Sequence, residues 1–185
     1  MLGQRGADRS PLVINGFAEA LPFVDGSFDA AMAVLTIHHW GDPHAGLREL
    51  RRVATRQVVF YFEPSVTHDF WALEYFPEAQ QLPSEHAPGE DVLREELRVG
   101  EIRPVLVPPD CLDGFGVAFW ARPDAYLDPA VQAGMSWLAL LPEDVRQRGS
   151  AQLADDLASG AWDRRHGHLR QRSAYDGGYR IAIAG

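Results

Sequence analysis

The sequence predicts an α/β fold, and three observations carry the prediction. Residues 29 to 37, DAAMAVLTI, and 57 to 62, QVVFYF, are nearly continuous apolar runs, the pattern of parallel strands covered on both faces. Between them lies a stretch with helical periodicity, and strand, helix, strand is the right-handed crossover that places helices against a sheet. A further run, YRIAIA at 179 to 184, supplies a last strand.

Taken in order, Leu12, Val13 and Ile14 form a short aliphatic run closed by Asn15-Gly16, which predicts a buried strand ending in a turn. Leu21-Pro22-Phe23 and Asp25-Gly26 punctuate a loop. The run at 29 to 37 is expected as a central strand. Asp42 is a good N-cap, Pro43 suits an early helical position, and Leu47, Leu50, Val53 and Ala54 recur at three- and four-residue spacing. The opposite face of that helix carries Arg48, Glu49, Arg51 and Arg52. Pro64 stops the strand at 57 to 62. Beyond residue 65, helices are expected near 69 to 76, 90 to 98, 129 to 139 and 143 to 158. EIRPVLV at 101 to 107 is expected as a strand that Pro104 demotes to an edge or bulge. The whole of 1–185 is expected as one domain, since a chain of this length buries a substantial core.

Composition narrows the function classes. A formal net charge of -9 argues against a surface that tracks nucleic-acid phosphates. Arg164, Arg165, Arg170 and Arg172 form a local basic cluster, which reads as a solvated face. Cys111 stands alone, so neither an intramolecular disulfide nor a cysteine zinc site forms, and a reducing, cytoplasmic location is expected. No apolar run approaches the ~20 residues of a membrane helix, so no membrane partner is expected.

Several motifs then occur in a telling order. GFAEALPF at 16 to 23 is followed by SFD at 27 to 29, by GDP at 41 to 43, by LRELRRV at 47 to 53 and by the strand QVVFYF. From about residue 12 to 63 the chain resembles the class I S-adenosylmethionine-dependent methyltransferases of the methyltransferase domain 11 type. The resemblance implies a Rossmann-like, doubly wound sheet of strand order 3-2-1-4-5-7-6, with S-adenosylmethionine across the carboxyl ends of its strands. It implies a motif-bearing core at 12–63, a variable substrate or lid region of inserted helices at 65–178, and the last strand at 179–184. It implies cofactor contacts at Gly16, Phe17, Ala18, Glu19, Leu35 and Thr36. Phe17 would flank the adenine ring and Ala18 would offer a backbone N–H. For Glu19 two roles stand open, bracing the loop or touching the cofactor.

The family's acidic residue followed by G-x-G-x-G does not precede Gly16, because two strands, a helix and a loop do not fit into fifteen residues. The expectation is therefore a chain that is N-terminally truncated relative to the family, with the first two strands absent. The 29 to 37 strand would then expose an apolar edge. That edge is expected to be paired by 12 to 15, to be left with 12 to 15 poorly ordered, or to be covered by another chain, as in a homo-oligomer. Two functions follow: methyl transfer to a small-molecule acceptor, or a non-catalytic remnant that pairs with a partner chain.

His38 and His39 follow the strand at 29 to 37 and are the candidate catalytic residues, because imidazole titrates near neutrality and takes protons from hydroxyls or amines. On extended backbone only one of the pair would face a pocket. The alternative is a histidine that caps a helix or bonds a carbonyl. His38, His39, His44 and Asp42 lack a recognised ligand spacing, and no metal is expected. Glu63 ends a strand and would border the cleft or lie on the surface. Asp110, Cys111 and Asp113 have no histidine placed beside them by sequence, and nucleophilic catalysis is not expected. Phe70, Trp71, Tyr75, Phe76, Phe119 and Trp120 are read first as core and second as walls of an acceptor pocket. Gly114, Gly116, Gly177 and Gly178 are read as turns.

Overall fold

The structure is a computed structural model that describes residues 12–67, 69–82 and 87–185. Its strands are β1 (Phe28–Val34), β2 (Ala54–Phe62), β3 (Glu101–Pro104) and β4 (Tyr179–Ala184), in the order β1-β2-β4-β3. β1 and β2 are parallel, while β4 runs antiparallel to both β2 and β3. This mixed α/β sheet has the order of strands 4-5-7-6 in the expected scheme. The helices are α1 (Pro43–Val53), α2 (Pro64–Thr67), α3 (Glu90–Leu97), α4 (Pro129–Gly134), α5 (Ser136–Ala139), α6 (Glu143–Ala158) and α7 (Ala161–His166).

The crossover forms as its sequence dictates. The Asp42 carboxylate accepts from Ala45 N at 3.0 Å, Pro43 occupies the first turn, and Leu47, Leu50 and Val53 are buried. α1 and α3 cover one face of the sheet, where Ala33, Val59, Tyr61, Ala182 and Ala184 meet Leu47, Leu50, Leu93 and Leu97. Glu96 on α3 ties the two helices together by accepting from Arg48 Nη1 and pairing with His44 Nδ1, each at 2.8 Å. The other face carries Phe60, Phe62 and Tyr179 and packs against the inserted helices, whose centre is Trp71, Tyr75, Phe76, Trp120, Tyr126 and Trp162. Trp71 Nε1 donates to the Trp120 carbonyl at 2.9 Å, and Trp120 Nε1 donates to the Val107 carbonyl at 3.1 Å. These bonds satisfy indole N–H groups that would otherwise be buried without a partner.

Four expectations are corrected. Leu12 to Ile14 form no strand, and their side chains are 88%, 43% and 45% exposed, because no described strand offers a ladder partner or a covered face. The strand expected at 29 to 37 ends at Val34, and among the described residues only β2 pairs with it, so it is not a central strand but the exposed edge expected where the first two strands are absent. Ala33 is buried against α1, but Phe28, Met32 and Val34 point to the other face, which the inserted helices do not cover beyond β2. A continuous apolar run reports cover on both faces only where both covers are present. The helix expected at 69 to 76 is a single 3₁₀ turn, Trp71–Glu74, and a second turn, Pro77–Gln81, follows it; Pro77 lacks the N–H that would join the two into one helix. The span 129 to 139 breaks for a related reason: Gly134 closes α4 and Met135 is extended before α5.

Candidate functional site

β4 is antiparallel to β2, so its first residue, Tyr179, pairs with Phe62, the last residue of β2. The carboxyl ends of β1 and β2 and the amino end of β4 therefore form one rim of the sheet. At that rim the chain leaves β1 through Leu35, whose φ of 46° is left-handed. A non-glycine residue there costs roughly 1–2 kcal/mol, and the Leu35 N–H donating to the Phe60 carbonyl at 2.8 Å holds it. The turn sets up a short 3₁₀ helix, Ile37–His39, anchored by the buried Ile37.

This geometry changes the reading of the histidine pair. The backbone is helical rather than extended, so His38 and His39 do not point to opposite sides; their ring centroids are 3.9 Å apart. Both line a cavity of about 310 Å³ over the rim, with Leu35, Phe62, Phe70 and Leu73 on one side. Phe115, Gly116, Met135, Ser136, Trp137 and Tyr179 close the other side. His38 is half-buried against the Phe62 ring, with centroids 4.9 Å apart. Burial first, and the neighbouring His39 second, pull its pKa down to about 4. At pH 7 its imidazole is neutral, and no ring nitrogen of His38 has a hydrogen-bond partner among the described residues. Burial pushes the Tyr179 phenol well above its ordinary value, so it remains a donor.

A second, shallower groove lies across the same turn and is lined by Gly16, Phe17, Ala18 and Glu19 with His39, Trp40, Gly41 and Asp42. His39 borders both the groove and the cavity. Phe17 presents an exposed ring, 79% accessible. Glu19 Oε1 accepts from Asp42 N at 3.1 Å, and backbone donors hold its carboxyl below the usual range. Its side chain thus braces the loop against the turn before α1. The loop that follows is held by α1. Arg52 donates to the carbonyls of Leu21 (3.0 Å) and Phe23 (2.7 Å), to Asp25 Oδ1 (2.8 Å) and to both oxygens of Glu49, which itself accepts from Leu21 N at 2.8 Å. The Arg52 hydrogen bonds draw the Glu49 carboxyl down to about 2. The Glu49-x-x-Arg52 spacing in α1 is therefore what fixes the LPF segment.

The remaining candidates fall as follows. Leu35 lines the cavity rather than the groove of Gly16 to Glu19, and the Thr36 carbonyl accepts from His39 N inside the turn. Glu63 is turned to the start of α3, accepting from Glu90 N at 2.9 Å, and does not line the cavity. His44 is paired with Glu96 and Asp42 caps α1, so neither joins His38 and His39. Cys111 Sγ lies 3.8 Å from the Asp113 carbonyl. Trp71, Tyr75, Phe76 and Trp120 are core, and Phe70 is both buried and a cavity wall. Arg165 pairs with Asp156 and Arg170 with Asp163, which takes both out of any free basic patch. Phe62, Phe115, Ser136, Trp137 and Tyr179 were not singled out from the sequence. For Phe62 and Tyr179 a signal existed, since both sit at strand ends that an antiparallel last strand brings to one rim.

A family described as methyltransferase domain matches residues 2–62. A solved structure from Anabaena variabilis ATCC 29413, described as a methyltransferase from an antibiotic biosynthesis pathway, is 30% identical with a TM-score of 0.83. The alignment covers 93% of this chain and 72% of that one. The uncharacterized protein YafE of Escherichia coli K12 is 47% identical over 38 residues, which is 20% of this chain and 18% of that protein's length.

Proposed function

The chain belongs to the class I S-adenosylmethionine-dependent methyltransferases, and from that premise we propose that it methylates a small molecule held in the cavity of His38, Trp137 and Tyr179. The observation that carries this reading is the shared residue His39, which borders both that cavity and the groove of Gly16 to Glu19. The relative from Anabaena variabilis is described as belonging to antibiotic biosynthesis, and a small-molecule acceptor is in keeping with that.

The described residues fit the adenine end of the cofactor. Phe17 offers an exposed ring for stacking, and Ala18 lies in a turn at the groove. With the Glu19 carboxylate bound to the Asp42 N–H, base recognition rests on stacking and backbone groups. When bound, the cofactor supplies an electrophilic methyl carbon. The chain's own residues position the acceptor, exclude water with Phe62, Phe70 and Trp137, and receive the acceptor's proton on His38. A base held at about 4 is weak toward a resting hydroxyl. It suffices because an attacking oxygen becomes strongly acidic only as its new bond forms. Calorimetric titration with S-adenosylmethionine tests the reading.

A second reading is favoured by β1. Its outer edge is unpaired among the described residues, and Phe28, Met32 and Val34 on it are exposed. An apolar, unpaired edge is a template for another chain. On this reading the protein acts by self-association through β1 and not by independent catalysis. Sedimentation velocity is expected to find a concentration-dependent dimer that Met32→Lys with Val34→Lys returns to monomer. A parent protein that is monomeric at 100 μM, on the order of a weak dimer's range, removes this reading.

A further inference from the structure

The cavity is built for a particular kind of acceptor. None of its described lining residues is Asp, Glu or Arg, although the chain as a whole carries 26 acidic and 17 basic residues. Its walls are aromatic and aliphatic. Four polar groups along them have no hydrogen-bond partner among the described residues: the His38 and His39 imidazoles, the Tyr179 hydroxyl and the Ser136 hydroxyl. An ion there would lose water and meet no carboxylate or guanidinium to pair with. A neutral hydroxyl would meet what it needs, an imidazole nitrogen that accepts and hydroxyl groups that donate.

The aromatic rings do not form a cage for a cation. Phe115 and Tyr179 pack edge to face, 4.9 Å apart at 80°, and Trp137 is packed against Phe76 at 5.8 Å and 69°. Rings packed edge to face on one another have fewer faces free for a ligand, where a cation needs several faces turned to one point. The volume of about 310 Å³ lies at the small end of ligand pockets, which run ~300–1,000 Å³.

We propose that this cavity takes an uncharged, flat, aromatic acceptor of about two fused rings that carries a hydroxyl, with the hydroxyl bound by His38 and Tyr179. The name acceptor rests on the methyltransferase reading; the selectivity rests on the cavity alone.

The test is calorimetric titration of the unmodified chain at pH 7 with three probes of one shape: 2-naphthol, 2-naphthoate and 2-naphthylmethylammonium. The expected result is saturable binding of 2-naphthol, at least tenfold tighter than either ion, and weakened at least fivefold in Trp137→Ala. Comparable binding of either ion overturns the proposal, as does no binding of 2-naphthol. Because the selectivity is read on the unmodified chain, a Trp137→Ala protein that fails to fold leaves the test intact. Selective 2-naphthol binding without S-adenosylmethionine binding would remove the methyltransferase reading and keep the cavity's selectivity. Cofactor binding without that selectivity would do the reverse.

Discussion

Replacing His38 with Gln is expected to lower kcat by about 10²–10⁴-fold, the usual range for losing a proton acceptor, with a much smaller change in KM. Gln keeps a polar side chain of similar reach but takes no proton, so a residue that only shaped the cavity would move KM and leave kcat nearly intact. The pH dependence carries a second signature. His38 must be neutral to act, and burial holds its pKa at about 4, so activity is expected to persist well below pH 6.5 and to fail only as the pH drops through about 4. The same shift acts on stability. The unfolded chain binds a proton at His38 near pH 6.5 and the folded chain does not until about 4, so the unfolded state holds more protons across that window. Folding stability should therefore decline as pH falls from about 6.5 to about 4, and His38→Gln should flatten that slope.

Trp120→Ala is expected to destabilise the protein by about 3–5 kcal/mol, the range for truncating a fully buried tryptophan. Trp120 is completely buried, stacks on Tyr175 with centroids 5.3 Å apart, and donates to the Val107 carbonyl. Its backbone carbonyl receives Trp71 Nε1, so the void opens beside the anchor of a second indole. The segment at issue also carries Phe115 and Gly116 of the cavity wall. Urea unfolding monitored by circular dichroism measures the effect, and a loss under 1 kcal/mol, on the order of a surface substitution, would contradict the packing described above.

The parts of the fold that could be read from sequence are those where local signals and tertiary context agree. Asp42-Pro43 and the Leu47, Leu50, Val53 spacing specify α1, and the structure keeps all of them. The motif order in 16 to 63 led to the strand order around β2. By contrast, Leu12 to Ile14 and the outer face of β1 are apolar yet exposed, because hydrophobicity records what a segment is suited to pack against and not whether that partner lies beside it. α7 was not expected because AWDRRH has no apolar period; Trp162 alone buries it, and Arg165 and Arg170 bind back to Asp156 and Asp163. At the site, His38 and His39 could be located because they follow a strand, but their common orientation depends on the left-handed turn at Leu35, which a leucine does not announce. Trp137 and Ser136 reach the cavity from a helix about 100 positions further along the chain, and no local pattern ties them to the rim.

The central claim is that this chain handles S-adenosylmethionine across the carboxyl end of β1. Calorimetric titration of the purified protein with that molecule addresses it most directly. The expected result is saturable one-to-one binding that weakens about tenfold or more in Phe17→Ala, since stacking of a base on an aromatic ring is worth ~1–3 kcal/mol. No heat of binding at 100 μM protein and a large ligand excess, on the order of a millimolar detection limit, would contradict it and leave self-association through β1 as the reading that stands.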